Sequence, residues 1–124
     1  MKAPDVSRHP VVSVVDDDES VRGSLPDLLV ALGFVAYAFA SAEEFLESDL
    51  ISKTTVLIVD IVMPGMSGPD LQRELKRRGL QTPMIFITSR TKESARSQLL
   101  EQGAIECLFK PFSDTALGAA FMPL

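Results

Sequence analysis

Short runs of almost unbroken apolar residues, most of them β-branched and each halted by a polar side chain, constrain this chain more than any other feature. Val11-Val12-Ser13-Val14-Val15 stops at Asp16-Asp17-Asp18, Val56-Leu57-Ile58-Val59 at Asp60, and Met84-Ile85-Phe86-Ile87 at Thr88-Ser89. Ile105 to Phe109 is a weaker run that stops at Lys110-Pro111. Val35 to Phe39 is more amphipathic and suits a sheet edge. Apolar runs without alternation mark strands buried on both faces, as in a parallel sheet.

Helical patterns lie between the runs. Glu19 to Leu32 follows the aspartate triplet and has Gly33 as its stop. Within it Pro26 removes a backbone N–H and predicts a bend near Arg22 to Pro26. Ser41 and Glu44 have the spacing of a capping box ahead of Phe45-Leu46. Ser67 to Arg78 and Thr91 to Gln102 are amphipathic, each followed by glycine. Ser113 to Phe121 is a short last helix, with Pro123 close behind.

Strand-helix alternation repeated in this way gives an α/β fold with a parallel sheet covered by helices. Right-handed crossovers leave few topologies, and for five strands the doubly wound, flavodoxin-like order 2-1-3-4-5 leads. One domain is expected over residues 11–121, with a polar leader over 1–10 and a tail over 122–124.

Ligands of open α/β sheets bind beyond the carboxyl ends of the strands, at the point where strand order reverses. There the first and third strands are neighbours. Asp16, Asp17 and Asp60 should therefore converge, with Thr88 and Lys110 nearby. Three carboxylates so close must be neutralised or have their pKa values raised. A hard divalent cation does this, and oxygen ligands with few protein groups favour Mg²⁺, or Mn²⁺ in its place. Asp60 is then a candidate nucleophile for a phosphoryl group. Lys110 offers a point charge and Thr88 a hydroxyl donor to the phosphoryl oxygens.

Composition removes several alternatives. The net charge is -5, from 17 acidic and 12 basic side chains, which opposes nucleic-acid binding by this chain alone. Arg77-Arg78 reads as a solvated face. Cys107 has no intrachain partner, and it reads as a small buried hydrophobe. No apolar run approaches the roughly 18 residues of a membrane span, and the first ten residues have no signal-peptide core. The cytoplasm is the expected compartment.

Val14-Val15-Asp16-Asp17-Asp18, Asp60-Ile61-Val62-Met63-Pro64-Gly65-Met66-Ser67-Gly68, Thr88-Ser89 and Lys110-Pro111-Phe112 together resemble the receiver domain of bacterial two-component response regulators. Ser41-Ala42-Glu43-Glu44-Phe45-Leu46 and Lys110-Pro111-Phe112-Ser113-Asp114 are closest to the FixJ type. The resemblance spans about Pro10 to Ala120. It implies that Asp60 accepts a phosphoryl group from the phosphohistidine of a sensor histidine kinase. Asp17 would ligate Mg²⁺ directly, Asp16 through water, and the Val62 backbone carbonyl would be a further ligand. Thr88 and Lys110 would engage the phosphoryl group, with the Lys110–Pro111 bond cis. Such a chain is a switch and no enzyme beyond its own phosphorylation and dephosphorylation. A homodimer would use the fourth helix (91–102), the fifth strand and the fifth helix.

The chain departs from the family pattern in three places. Cys107 stands where the family usually has Tyr or Phe, which predicts a weakened coupling to Thr88. Val62 and Arg90 occupy the positions that tune loss of phosphate, and an apolar Val62 predicts slow self-hydrolysis. The last helix is short, so the dimer face is expected to be incomplete. FixJ-type regulators usually carry a DNA-binding helix-turn-helix after the receiver, and none follows residue 124. The chain reads either as a receiver cut from a longer protein or as a stand-alone regulator. Two alternatives fit the residues less well. An aspartate-nucleophile phosphohydrolase of the haloacid dehalogenase kind needs a second Asp where Val62 stands, and a cap domain. A pseudo-receiver would not need the intact Asp16, Asp17, Asp60, Thr88 and Lys110.

Overall fold

Each apolar run forms a strand: β1 (Val11–Val15), β2 (Val35–Phe39), β3 (Val56–Asp60), β4 (Met84–Thr88) and β5 (Glu106–Phe109). The structure, a computed structural model, describes residues 10–88, 100–101, 103–104, 106–110 and 114–121. The strands form one parallel sheet in the order β2-β1-β3-β4-β5. This is the doubly wound order that the strand-helix alternation predicts.

The helices between them are α1 (Glu19–Ala31), α2 (Ala42–Leu46), α3 (Gly68–Arg77) and the last helix, here α4 (Asp114–Ala120). A 3-10 turn spans Asp49–Ser52. The helix expected over 91–102 lies almost wholly outside the described residues. Leu100 and Glu101 are helical. α1 continues past Gly23 and Pro26 to Ala31, with Leu32 as its C-cap, and Gly33 just beyond has a φ of 100° that suits a residue without a Cβ. α4 is as short as the sequence suggests.

Caps begin the helices where the sequence places them. Ser41 Oγ accepts from Glu44 N at 3.1 Å, which is one half of a capping box. The complete box lies at α3. There Ser67 Oγ accepts from Asp70 N at 3.2 Å, and Asp70 Oδ2 accepts from Ser67 N at 3.1 Å. Such a cap contributes about 1 kcal/mol. Along α3, Glu74 is gripped by Arg77 and Arg78. These two guanidinium groups hold its carboxyl down at about 2.

Side chains alternate across the sheet and make two cores. Val15, Leu57, Val59, Phe86 and Cys107 pack with Phe45 of α2 and Leu71 and Leu75 of α3. Val12, Val14, Ile58, Ile85 and Ile87 pack with Leu25 and Leu29 of α1 and Leu117 of α4. Burying one such side chain fully is worth about 1.5–3 kcal/mol. This packing fixes the strand ends relative to one another. β2, at the edge, leaves Val35 and Tyr37 exposed.

Candidate functional site

The carboxyl ends of the strands bring four sequence-predicted residues together. Asp16 directly follows β1, Asp60 is the last residue of β3, and Lys110 directly follows β5. One oxygen each from Asp16, Asp17 and Asp60 lies within 4.8 Å of the others. Lys110 Nζ sits between two of them, 2.8 Å from Asp16 Oδ2 and 3.1 Å from Asp60 Oδ2. Asp16 is fully buried, Asp60 nearly so, and Asp17 exposed.

The aspartate triplet divides its work. Asp18 caps α1, its Oδ1 accepting from Ser20 N at 2.9 Å and Ser20 Oγ at 2.7 Å. These bonds hold the Asp18 carboxyl below its usual range. Asp16 and Asp17 are left for the site. Asp16 Oδ1 accepts from Asp18 N at 2.9 Å, and Arg22 Nη1 donates to the Asp16 carbonyl at 3.0 Å. Asp60 Oδ1 accepts from Val62 N at 3.2 Å.

Burial raises the Asp16 carboxyl above its usual range, and the nearby Asp60 charge adds to this against the opposing pull of Lys110. Burial alone would lower Lys110. The Asp16 and Asp60 carboxylates outweigh it, so the ammonium is held above its ordinary value.

These groups fit a divalent cation. Three carboxylates face one ammonium, an excess of two negative charges when all are ionised. Asp16 Oδ2 is buried with no hydrogen bond. It lies 2.8 Å from Lys110 Nζ, an ion pair. A buried carboxylate oxygen in that state is a ready ligand for a hard cation.

Thr88 ends β4, buried, and its carbonyl accepts from Lys110 N at 2.7 Å. That bond places the lysine at the site. Val62 lies two residues after Asp60 and is 59% exposed. Cys107 is buried and pairs in register with Phe86. Arg90 and Pro111, with its expected cis bond, lie outside the described residues. On α1, Leu25 is buried in the core and Arg22 turns to the Asp16 carbonyl.

Two residues that the sequence marks only as parts of longer motifs make contacts that it does not announce. Gly68 starts α3 so close to the site that a Cβ there would meet the Asp60 carbonyl oxygen at 2.6 Å. Its place directly behind the Ser67 cap was the available signal. Glu43 reaches from α2 to Met66 N at 3.2 Å, and no local pattern announces that contact.

Comparison with known proteins agrees with this arrangement. Residues 12–121 match the family described as the response regulator receiver domain. Nodulation protein W of Bradyrhizobium diazoefficiens is 39% identical over 113 residues, covering 91% of this chain and 50% of that protein. Transcriptional regulatory protein FixJ of Azorhizobium caulinodans is 36% identical over 109 residues, covering 88% of this chain and 52% of that protein. The chain thus spans about half the length of these curated relatives. Among solved structures, the response regulator StyR superposes with a TM-score of 0.83 at 40% identity, over 93% of this chain and 58% of that one. FixJ-N superposes with a TM-score of 0.78 at 35% identity, over 90% of this chain and 89% of that one. With the family match running across both cores and every strand end that builds the acidic site, this chain belongs to the response regulator receiver domains of two-component signalling.

Proposed function

We propose that the chain is a phosphoacceptor switch in which a sensor histidine kinase transfers a phosphoryl group to Asp60. The observation that carries this reading is the grouping of Asp60 with Asp16, Asp17 and Lys110 at one end of the sheet. An Asp60 carboxylate oxygen attacks phosphorus, the O–P bond forms, and the N–P bond of the phosphohistidine breaks. The imidazole leaves with the electron pair. Such a transfer needs positioning and charge stabilisation more than covalent chemistry.

Asp16, Asp17, Asp60 and the Val62 carbonyl would hold Mg²⁺, or Mn²⁺ in its place. Bound there, the cation supplies positive charge to the phosphoryl oxygens. Lys110 adds a second cation, already within reach of Asp60. Thr88 offers a hydroxyl at the end of the neighbouring strand. Phosphorylation replaces the Asp60–Lys110 pairing with one to the phosphoryl group, which biases a two-state equilibrium of the nearby surface. The partner-binding face, including that of a homodimer, would comprise 91–102, β5 and α4. The chain acts on no substrate but its own Asp60, and the cytoplasm is its compartment. No described helix is long and apolar enough to cross a membrane.

Incubation with Mg²⁺ and acetyl phosphate, followed by intact mass, tests this reading. The wild type is expected to gain one phosphoryl group, Asp60→Asn none, and EDTA to abolish the gain. No gain in the wild type at any Mg²⁺ concentration overturns the proposal and leaves an interaction module without phosphate chemistry.

The exposed Val62 side chain has no polar atom to orient an attacking water. The phosphorylated protein is therefore expected to keep its phosphoryl group for minutes to hours, and Val62→Asn to shorten that time. A wild-type lifetime of seconds, followed by the same mass measurement after removal of acetyl phosphate, counts against this role.

A further inference from the structure

The loop between β3 and α3 carries Val62, and several contacts hold its shape. At its base Gly68 N donates to the Ile61 carbonyl at 3.1 Å. Near its start Val62 N donates to Asp60 Oδ1 at 3.2 Å. In its middle the Met63 side chain is buried in the core. Its far end is gripped from another element. Glu43 Oε2 accepts from Met66 N at 3.2 Å, across 23 residues of chain.

The helix behind Glu43 is a firm base. Ala42 and Phe45 of α2 are fully buried, and Ser41 caps the helix. A carboxylate in the first turn of a helix ordinarily reads as a solvated group facing the helix dipole. Glu43 instead turns across to a loop amide. Gly65 makes room for it. Its φ is +74°, and a Cβ there would lie 2.8 Å from Glu43 Oε2. The glycine thus serves both the left-handed turn and the approach of the carboxylate.

We infer that Glu43 is a positioning residue: by holding Met66 N it sets the loop that presents the Val62 carbonyl, and so tunes the affinity of the site for a divalent cation. The inference rests on the metal site of the proposed function. Glu43 itself touches neither the cation nor the phosphoryl group. Contacts that orient metal ligands typically matter by about 10–100-fold in affinity. Glu43 acts one step further out, through an exposed hydrogen bond, so about threefold to tenfold is expected.

Mn²⁺ binding to the unphosphorylated protein, read from the EPR signal of free Mn²⁺, tests this. Glu43→Ala is expected to raise the Kd by about threefold to tenfold. Glu43→Gln keeps an acceptor oxygen without the charge and is expected to stay within about twofold of wild type. Gly65→Asn tolerates the positive φ but fills the space that Glu43 uses. It should weaken binding as Glu43→Ala does, and the double variant should be no weaker than either single one, because both break the same contact. Wild-type affinity in Glu43→Ala overturns the positioning role. So does a Glu43→Gln protein as weak as Glu43→Ala, which would make long-range charge the cause. A wild-type protein that holds no Mn²⁺ overturns the metal site itself and this role with it.

Discussion

Lys110→Met is expected to take up phosphoryl groups from acetyl phosphate on the order of 10²–10³-fold more slowly than the wild type, the usual loss when one preorganised charge is removed from a reacting centre. Lys110 Nζ lies 3.1 Å from Asp60 Oδ2, so it already stands where negative charge must be met. Methionine matches the length of the lysine stem and fills similar space, so the loss reports on charge and not on a cavity. Stopped-time mass measurements at saturating Mg²⁺ give the rate. A Lys110→Met rate within tenfold of wild type would remove Lys110 from the proposed mechanism.

The same substitution has a stability consequence. Removing one partner of a fully buried ion pair costs about 3–5 kcal/mol, because the other charge is left uncompensated. Lys110 keeps 17% of its side-chain surface exposed while Asp16 has none, so about 2 kcal/mol is expected here. Urea unfolding without divalent cation checks this, and added Mg²⁺ should restore part of the loss by neutralising Asp16. The pH dependence follows from the raised Lys110 ammonium. Its pairing contributes fully below the ordinary lysine value of 10.5 and is lost as pH rises through the higher folded value. At neutral pH the contribution is therefore intact.

Gly68→Ala is expected to destabilise the protein by about 1–3 kcal/mol, as overpacking a close contact does. The added Cβ would sit 2.6 Å from the Asp60 carbonyl oxygen and 2.9 Å from Phe86 Cε1. Neither yields easily. The first is strand backbone, and Phe86 is fully buried between helix and sheet. Because one of the clashing atoms belongs to Asp60, the relief of strain must also move the end of β3, so phosphoryl uptake should fall with stability. Gly23→Ala is the control with the opposite sign. Gly23 lies inside α1 with nothing within 4 Å of an added Cβ. Alanine there should stabilise by about 0.5–1 kcal/mol, since it reduces the freedom of the unfolded chain. Urea midpoints of both variants decide the matter. Equal and small shifts would mean that Gly68 is an ordinary helix start.

The strands and their order were legible because a buried parallel strand leaves a local record. Val56 to Val59 and Met84 to Ile87 have no polar face to offer water, and Val35 to Phe39 does, which placed it at the edge. Parallel topology then puts all the strand ends on one side, and Asp16, Asp17, Asp60 and Lys110 come together as a consequence. The helix starts at Asp18, Ser41 and Ser67 were equally local, since a cap bonds to amides two or three residues away.

The sequence by itself therefore determined the sheet, its order, the helix starts and the meeting of the acidic residues with one lysine. Only the tertiary structure decided how the other two aspartates of the triplet divide, with Asp16 buried beside Lys110 and Asp17 exposed. It alone decided that Gly68 must lack a Cβ and that Glu43 crosses to the loop behind Asp60. The physical reason is range. Burial periods and caps are written within a few residues of the groups they serve. The approach of α3 to the end of β3, and the turn of one carboxylate toward a distant amide, are set by how the helices settle against the sheet.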